Sequence, residues 1–318
     1  MKFSRLVGFA GLFLLVPTLV ACSVETSGDA TTDETVAAEA TTTTEAAAFP
    51  VTVGDLTLNA EPQRIVSMSA TATEMLFAIG AGDKVIAVDN FSNYPAQTAE
   101  LEKVDAYQPN VEAISSLEPD LVIISYDPGN LVEQLNALSI PVFAAYAVSN
   151  LDGAYEQLEQ LGALTGRLAE AVQLSATMQA EIAEIVAGVT KTEPPLTYFY
   201  ELDPTLYTIT SNTFVGGVMA SLGLVSVADG VEAGNDYPQL SAEVLVDKDP
   251  SIIFLADTKC CAQSLQTVAE RDGWAELTAV KTGSVVELDD DIASRWGPRL
   301  VDLVRAVAEA VASVLAKQ

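Results

Sequence analysis

From Phe49 onward, short apolar runs alternate with longer stretches of helical spacing. The runs "RIVSM" (64–68), "VIAVD" (85–89), "DLVIIS" (120–125) and "PVFAA" (141–145) are rich in β-branched residues and apolar on both faces. That is the pattern of strands buried in a parallel sheet. A helical pattern, "TATEMLFAIGA" (71–81), lies between the first two. A second series follows with "LTYFY" (196–200), "SIIFLA" (251–256) and "VVEL" (285–288). Between the series, Leu158, Leu161, Leu164, Leu168 and Val172 recur at helical spacing within a stretch from about Leu151 to Val189. Gly166 is placed to break that stretch, and "TEPP" (192–195) ends it. The pattern predicts an α/β fold of two Rossmann-like lobes joined by a single long α-helix, with a ligand cleft between the lobes. The expected boundaries are 49–165 for the N-terminal lobe, 166–190 for the connecting helix and 191–318 for the C-terminal lobe.

The first 48 residues follow a different pattern. Lys2 and Arg5 precede an apolar run from Leu6 to Val20, too short to span a bilayer comfortably. This reads as a signal peptide over 1–21. "LVAC" (19–22) resembles the lipobox of bacterial lipoproteins, which makes Cys22 the expected site of lipidation. The mature chain is then exported and held by acyl chains to the outer face of the cytoplasmic membrane. Residues 22–48 are rich in Thr, Ala and Glu and lack aromatics, the composition of a disordered tether.

Composition narrows the chemistry. The chain carries 15 Lys and Arg against 44 Asp and Glu, so a nucleic-acid partner is not expected. It contains no histidine, which excludes Ser-His-Asp and Cys-His catalytic sites and histidine-held zinc or manganese. No nucleophile–base pair is visible, no cofactor is implied, and no enzymatic role is expected. The acidic run Asp289–Asp291 lacks cation-loop spacing and reads as a solvated turn before a helix. Apart from Cys22, the only cysteines are Cys260 and Cys261, either a strained vicinal disulfide or two thiols. A weak internal echo links "VEAISSLEPDLVII" (111–124) and "AEVLVDKDPSIIFL" (242–255). In each, a glutamate (Glu112, Glu243) stands seven residues before a proline that introduces a strand.

Aromatic residues remain beside the turns. Phe91 ("DNFSNYP"), Tyr107 ("DAYQPN"), Tyr126 ("ISYDPGN") and Tyr237 ("NDYPQL") sit just after strands or in Pro- and Asn-rich loops. In open α/β sheets ligands bind outside the carboxyl ends of the strands, so these four residues suggest a cleft with aromatic walls. "RIVSMSATATEMLFAIGAGDKVIAVDNFSNYP" (64–95), followed by "NVEAISSLEPDLVI" (110–123), resembles the substrate-binding proteins of ABC importers for cobalamin and ferric siderophores. The resemblance runs roughly from Phe49 to the C-terminus. It implies one glutamate per lobe docking onto arginines of a membrane permease, here Glu112 and Glu243. It also implies ligand contacts from Phe91, Tyr107, Tyr126, Tyr237 and Arg295. Trp296 either covers the cleft or packs beneath it, and Arg299 braces the following helix. Lys259, Cys260 and Cys261 follow a strand and belong at the cleft rim. The expected partners are a metal chelate, an ABC permease with its ATPase, and a membrane through the lipid anchor. A ferric siderophore is favoured, because two arginines stand near the cleft, with a corrinoid close behind. The alternative is a surface lipoprotein of the same fold with a non-transport binding or enzymatic role.

Overall fold

A computed structural model describes residues 49–317. The expected signal peptide (1–21), the lipidation site at Cys22 and the tether (22–48) lie outside the described residues.

A hairpin comes first: β1 (Val51–Val53) pairs antiparallel with β2 (Leu56–Leu58). The N-terminal lobe then runs β3 (Ile65–Met68), α1 (Ala70–Ala78), β4 (Val85–Asp89), β5 (Glu102–Val104), α2 (Val111–Ser116), β6 (Leu121–Ile124), α3 (Leu131–Ala137) and β7 (Val142–Ala144). Its five strands are all parallel, in the order β5-β4-β3-β6-β7. Two helices follow, α4 (Leu151–Leu164) and α5 (Leu168–Gly188). The C-terminal lobe runs β8 (Leu196–Glu201), α6 (Phe214–Ser221), β9 (Leu224–Ser226), α7 (Ala242–Lys248), β10 (Ile252–Leu255), α8 (Thr258–Cys261), α9 (Leu265–Ala269), α10 (Thr278–Lys281), β11 (Val285–Glu287), α11 (Asp290–Ser294) and α12 (Leu300–Leu315). Its sheet is also parallel, in the order β11-β10-β8-β9.

Strand period decides how the cores divide. Leu121 and Ile123 of β6 face one core, and Val122 and Ile124 face another. Likewise Ile252 and Phe254 of β10 face the first core, while Ile253 and Leu255 face a third. The first core is shared: it takes Met75 and Leu76 of α1, Leu158 of α4, Met178 of α5, Tyr198 of β8 and Val304 of α12. One apolar body therefore runs through both lobes and the helices that join them.

The long helical stretch breaks where Gly166 adopts φ +71°, a conformation glycine adopts without penalty. A few residues earlier, Gly162 lets α4 and α5 pack closely, since a Cβ there would lie 2.4 Å from that of Ala171. The connection is α5 itself, 21 residues long, with α4 packed beside it.

In each lobe the chain reverses direction across the sheet, between β3 and β6 and between β8 and β10. A crevice opens at such a switch, outside the carboxyl ends of the strands. The hairpin and the short strands β5 and β9 were not anticipated from the sequence.

Candidate ligand cleft

Three of the four aromatic residues singled out above stand on the same local device. Asp89 Oδ1 accepts from the backbone N–H groups of Phe91 (2.6 Å) and Ser92 (2.8 Å). Asp105 Oδ1 accepts from those of Tyr107 (2.8 Å) and Gln108 (2.9 Å). Asn235 Oδ1 accepts from that of Tyr237 (3.0 Å). An Asp or Asn side chain that bonds the backbone two residues on closes a tight turn. The turn ends the strand or loop and lifts the aromatic side chain clear of it.

On the N-terminal lobe these turns follow β4 and β5, and Tyr126 follows β6. Phe91, Tyr107 and Tyr126 are 55%, 64% and 58% exposed. Phe91 meets Tyr107 edge to face at 5.6 Å between centroids, and Tyr107 lies 6.3 Å from Tyr126. The three line a cavity of about 560 Å³, closed from the other lobe by Lys259, Cys260, Asp290, Asp291, Arg295 and Trp296. Tyr237 is not part of this wall. It lines a second, more apolar compartment of about 390 Å³ with Tyr200, Phe214 and Trp296. Cys260, Asp290, Ser294, Arg295 and Trp296 line both compartments and divide them. A larger groove, about 650 Å³, lies between α5 and α12, but it has no aromatic lining and is not at the strand ends.

Trp296 stands between the core and the cleft. Its indole N–H donates to Gln157 Oε1 on α4 (2.8 Å), its ring packs against the shared core, and its surface lines the cleft.

Arg295 lines the cleft, but its hydrogen bonds point into the protein. Nη1 donates to Glu74 Oε1 (2.8 Å) and Asn93 Oδ1 (2.9 Å). Nη2 donates to the Phe91 carbonyl (2.9 Å) and Asp291 Oδ1 (2.6 Å). Arg299, just before α12, donates from Nε and Nη2 to the two oxygens of Glu74 (2.9 and 2.6 Å) and stacks over Tyr94 at 4.2 Å. Glu74, only 2% exposed on α1, is thus the anchor of both arginines. Sequence reading passed over it as one residue of a helix. Its signal was a carboxylate in an otherwise buried helical run.

The acidic run is not merely a solvated turn. Asp289 caps α11, accepting from the N–H groups of Asp291 and Ile292. Asp290 accepts from Thr258 Oγ1 and from the N–H groups of Lys259 and Cys260. Asp291 takes Lys259, Asn93 and Arg295. Among the described residues no group of carboxylates and thiols is arranged to hold a metal ion.

Cys260 and Cys261 are separate thiols within one turn of α8, not a disulfide. Consecutive helical side chains diverge, which keeps the sulfurs out of bonding geometry. Desolvation, the neighbouring Cys261 and the Asp290 and Asp257 carboxylates push the Cys260 thiol up to about 12. At neutral pH it is a protonated, weakly polar wall of the cleft.

Beneath α8 lies a second buried carboxylate. Asp257 is fully buried and neither of its oxygens has a hydrogen-bond partner. Its neighbour Glu201 is held by Arg271 through two bonds of 2.6 Å, and that guanidinium sits 4.5 Å over Trp274. Burial and the adjacent Glu201 carboxylate push Asp257 up to about 7. From the ordinary aspartate value of 3.8 up to about 7, the folded chain holds a proton that the unfolded chain has released. Stability therefore falls as pH rises through that window and levels off above it. Asp257→Asn mimics the protonated form at every pH. Its stability advantage over the parent, followed by urea denaturation across pH, should grow through the window by about 4 kcal/mol and then stay constant. An advantage independent of pH would mean that Asp257 does not titrate there.

Glu112 and Glu243 occupy matching places outside the cleft. Each is exposed and is the second residue of a helix, after the caps Asn110 and Ser241. Helices α2 and α7 lead into β6 and β10, each of which pairs with the first strand of its lobe's parallel sheet.

Comparison with known proteins agrees with this architecture. A family model described as "Periplasmic binding protein" matches residues 65–292. A cobalamin-binding protein of Halobacterium salinarum is 32% identical, over 83% of this chain and 75% of its own length. An ABC transporter substrate-binding lipoprotein of Bacillus subtilis is 30% identical, over 83% of this chain and 86% of its own. Among solved structures, the periplasmic vitamin B12-binding protein of Vibrio cholerae superimposes with a TM-score of 0.67 at 27% identity, covering 80% of this chain and 98% of that one. The periplasmic heme-binding protein of the same species gives 0.70 at 21% identity, over 78% and 98%, a likeness of fold. Two parallel α/β lobes, a helical connection and a cleft at both switch points, together with these matches, place the chain in the periplasmic binding protein family.

Proposed function

We propose that the chain is the extracytoplasmic solute-binding component of an ABC importer, and that its cleft takes a corrinoid. The observation that carries this reading is the wall formed by Phe91, Tyr107 and Tyr126 over a cavity of about 560 Å³. Aromatic faces side by side suit a large, flat, partly apolar ligand. A macrocycle ringed with amides has that shape and needs hydrogen-bonding groups rather than a counter-charge. The sequence favoured a ferric siderophore because Arg295 and Arg299 stood near the cleft. Their engagement with Glu74 removes that ground. The cobalamin- and vitamin B12-binding relatives support the same choice.

In this reading capture involves no chemistry. The shared core and α5 keep the lobes nearly fixed, so closure on the ligand is small. Glu112 and Glu243 present the loaded protein to the permease. Cys22 carries the lipid that keeps the protein on the outer face of the cytoplasmic membrane, and residues 23–48 serve as its leash.

Titration of the intrinsic Trp and Tyr fluorescence with cyanocobalamin, a ferric siderophore and haem tests the ligand. The expected result is a dissociation constant on the order of micromolar or below for the corrinoid and weaker binding of the other two. Tight binding of the siderophore or haem with none of the corrinoid would overturn the assignment.

A further inference from the structure

Two cations line the aromatic compartment of the cleft, Lys259 and Arg295, and both are already engaged. Lys259 Nζ lies 2.7 Å from Asp289 Oδ2 and 2.7 Å from Asp291 Oδ2. The four terminal N–H groups of Arg295 meet four acceptors, on Glu74, Asn93, Phe91 and Asp291. Only its Nε–H remains. Behind it, Arg299 holds both oxygens of Glu74. The carboxylates outnumber these cations. Glu74, Asp289 and Asp291 pair with them, while Asp89 and Asp290 line the cavity and accept from backbone N–H groups and hydroxyls instead. Among the described residues the second compartment adds no further cation.

Among the described residues, an anionic ligand entering this cleft meets no cation without a carboxylate partner, and the exposed third N–H of Lys259 stands beside two aspartates. To gain a free cation it must displace a carboxylate from a guanidinium that is 9% exposed, or strip Lys259 from two aspartates at once. Both take a counter-charge away from carboxylates crowded in a partly dehydrated site, where like charges repel more strongly than in water. An uncharged ligand faces neither cost. Its amide N–H groups can bond Asp89 and Asp291, which have acceptor capacity to spare, whereas both oxygens of Asp290 already accept two bonds each.

We infer that the cleft is a charge filter: Glu74, Asp289 and Asp291 hold all of its cations, so it admits an uncharged or cationic chelate and rejects one of net negative charge. The inference rests on the chelate-binding reading above and extends it from shape to charge. It assigns specificity to Glu74, which stands behind the cleft wall and acts on a ligand only through Arg295. Glu74 is therefore a positioning residue.

The test uses a matched pair of corrinoids, cyanocobalamin and its derivative with one peripheral amide hydrolysed to a carboxylate. The two differ by one negative charge at nearly constant shape. Dissociation constants are measured for the parent protein, Glu74→Gln and Asp291→Asn. The parent should favour the amide form by about tenfold or more, and both variants should lower that ratio several-fold. A purely structural role for Glu74 would weaken both ligands alike and leave the ratio unchanged. Should Glu74→Gln fail to fold, Asp291→Asn carries the test, because Asp291 is partly exposed at the cleft wall. Equal affinity of the parent for both corrinoids overturns the filter and leaves the corrinoid reading standing. Failure of both to bind overturns the corrinoid reading. The filter is then read from an uncharged ferric trihydroxamate against an anionic ferric tricatecholate. Preference for the trihydroxamate upholds it; equal binding, preference for the tricatecholate, or no binding of either overturns it.

Discussion

Glu74→Ala is expected to lower the stability of the folded chain by about 3–5 kcal/mol, measured by urea denaturation. Glu74 is nearly fully buried and bonds Arg295 at 2.8 Å and Arg299 at 2.9 and 2.6 Å. Removing it leaves two guanidinium groups with little access to water and one counter-charge fewer. That is the costly way to break a buried ion pair. The bonds also join distant parts of the chain, since Glu74 is in the N-terminal lobe and the arginines lie 221 and 225 residues later. Replacing all three residues together by apolar ones of similar volume, as in Glu74→Met with Arg295→Met and Arg299→Met, should recover much of the loss. A loss below about 1 kcal/mol in the single variant would put the pair in the class of hydrated surface bridges and remove it as a tie between lobes.

Such a tie is the kind of feature a sequence read alone does not reveal. Each strand in the two series was legible because a strand's pattern is local: "LVII" and "IIFL" are apolar on both faces wherever they sit. The position of the aromatic residues was legible for the same reason. A turn two residues after an Asp or Asn is written in "DNF", "DAY" and "NDY", although the role of that first residue was missed. The hairpin β1–β2 was also present in principle, as alternation around Gly54-Asp55. The direction of Arg295 was not legible. From its neighbours it is an arginine beside a cleft, and only the fold brings Glu74, Phe91 and Asn93 to it from some two hundred residues away. For the same reason the acidic run read as a solvated turn. Its partners Lys259, Thr258 and Asn93 come from other segments. The charge of this cleft is thus a property of tertiary pairing, which a count of arginines in its loops does not reveal.

The larger functional effect is expected at Glu112 and Glu243. Glu112→Lys with Glu243→Lys should abolish import of the ligand and leave the affinity of the purified protein for it unchanged. Both side chains are exposed, and neither lines the cleft compartments. A helix that feeds a parallel strand runs opposite to it, so its first turn lies level with the carboxyl ends of the strands. Both glutamates therefore stand on the cleft edge of their own sheets, one per lobe. Hydrogen bonds from its own backbone N–H and from Ser241 hold the Glu243 carboxyl below the usual range, which keeps it charged. Close charge pairs across an interface couple by about 1.5–7 kcal/mol. Losing two attractions and gaining two repulsions should weaken docking by several orders of magnitude, and either single reversal should give an intermediate defect. The measurement is uptake of labelled ligand in cells that depend on the introduced protein, beside a control pair of equal charge change, Glu133→Lys with Asp247→Lys, also exposed and on helices. Undiminished uptake in the double variant would remove both residues from the docking face. An equal defect in the control pair would reduce the effect to net charge. Loss confined to the Glu112 and Glu243 pair, with ligand binding intact, separates delivery from capture and assigns it to one charged contact on each lobe.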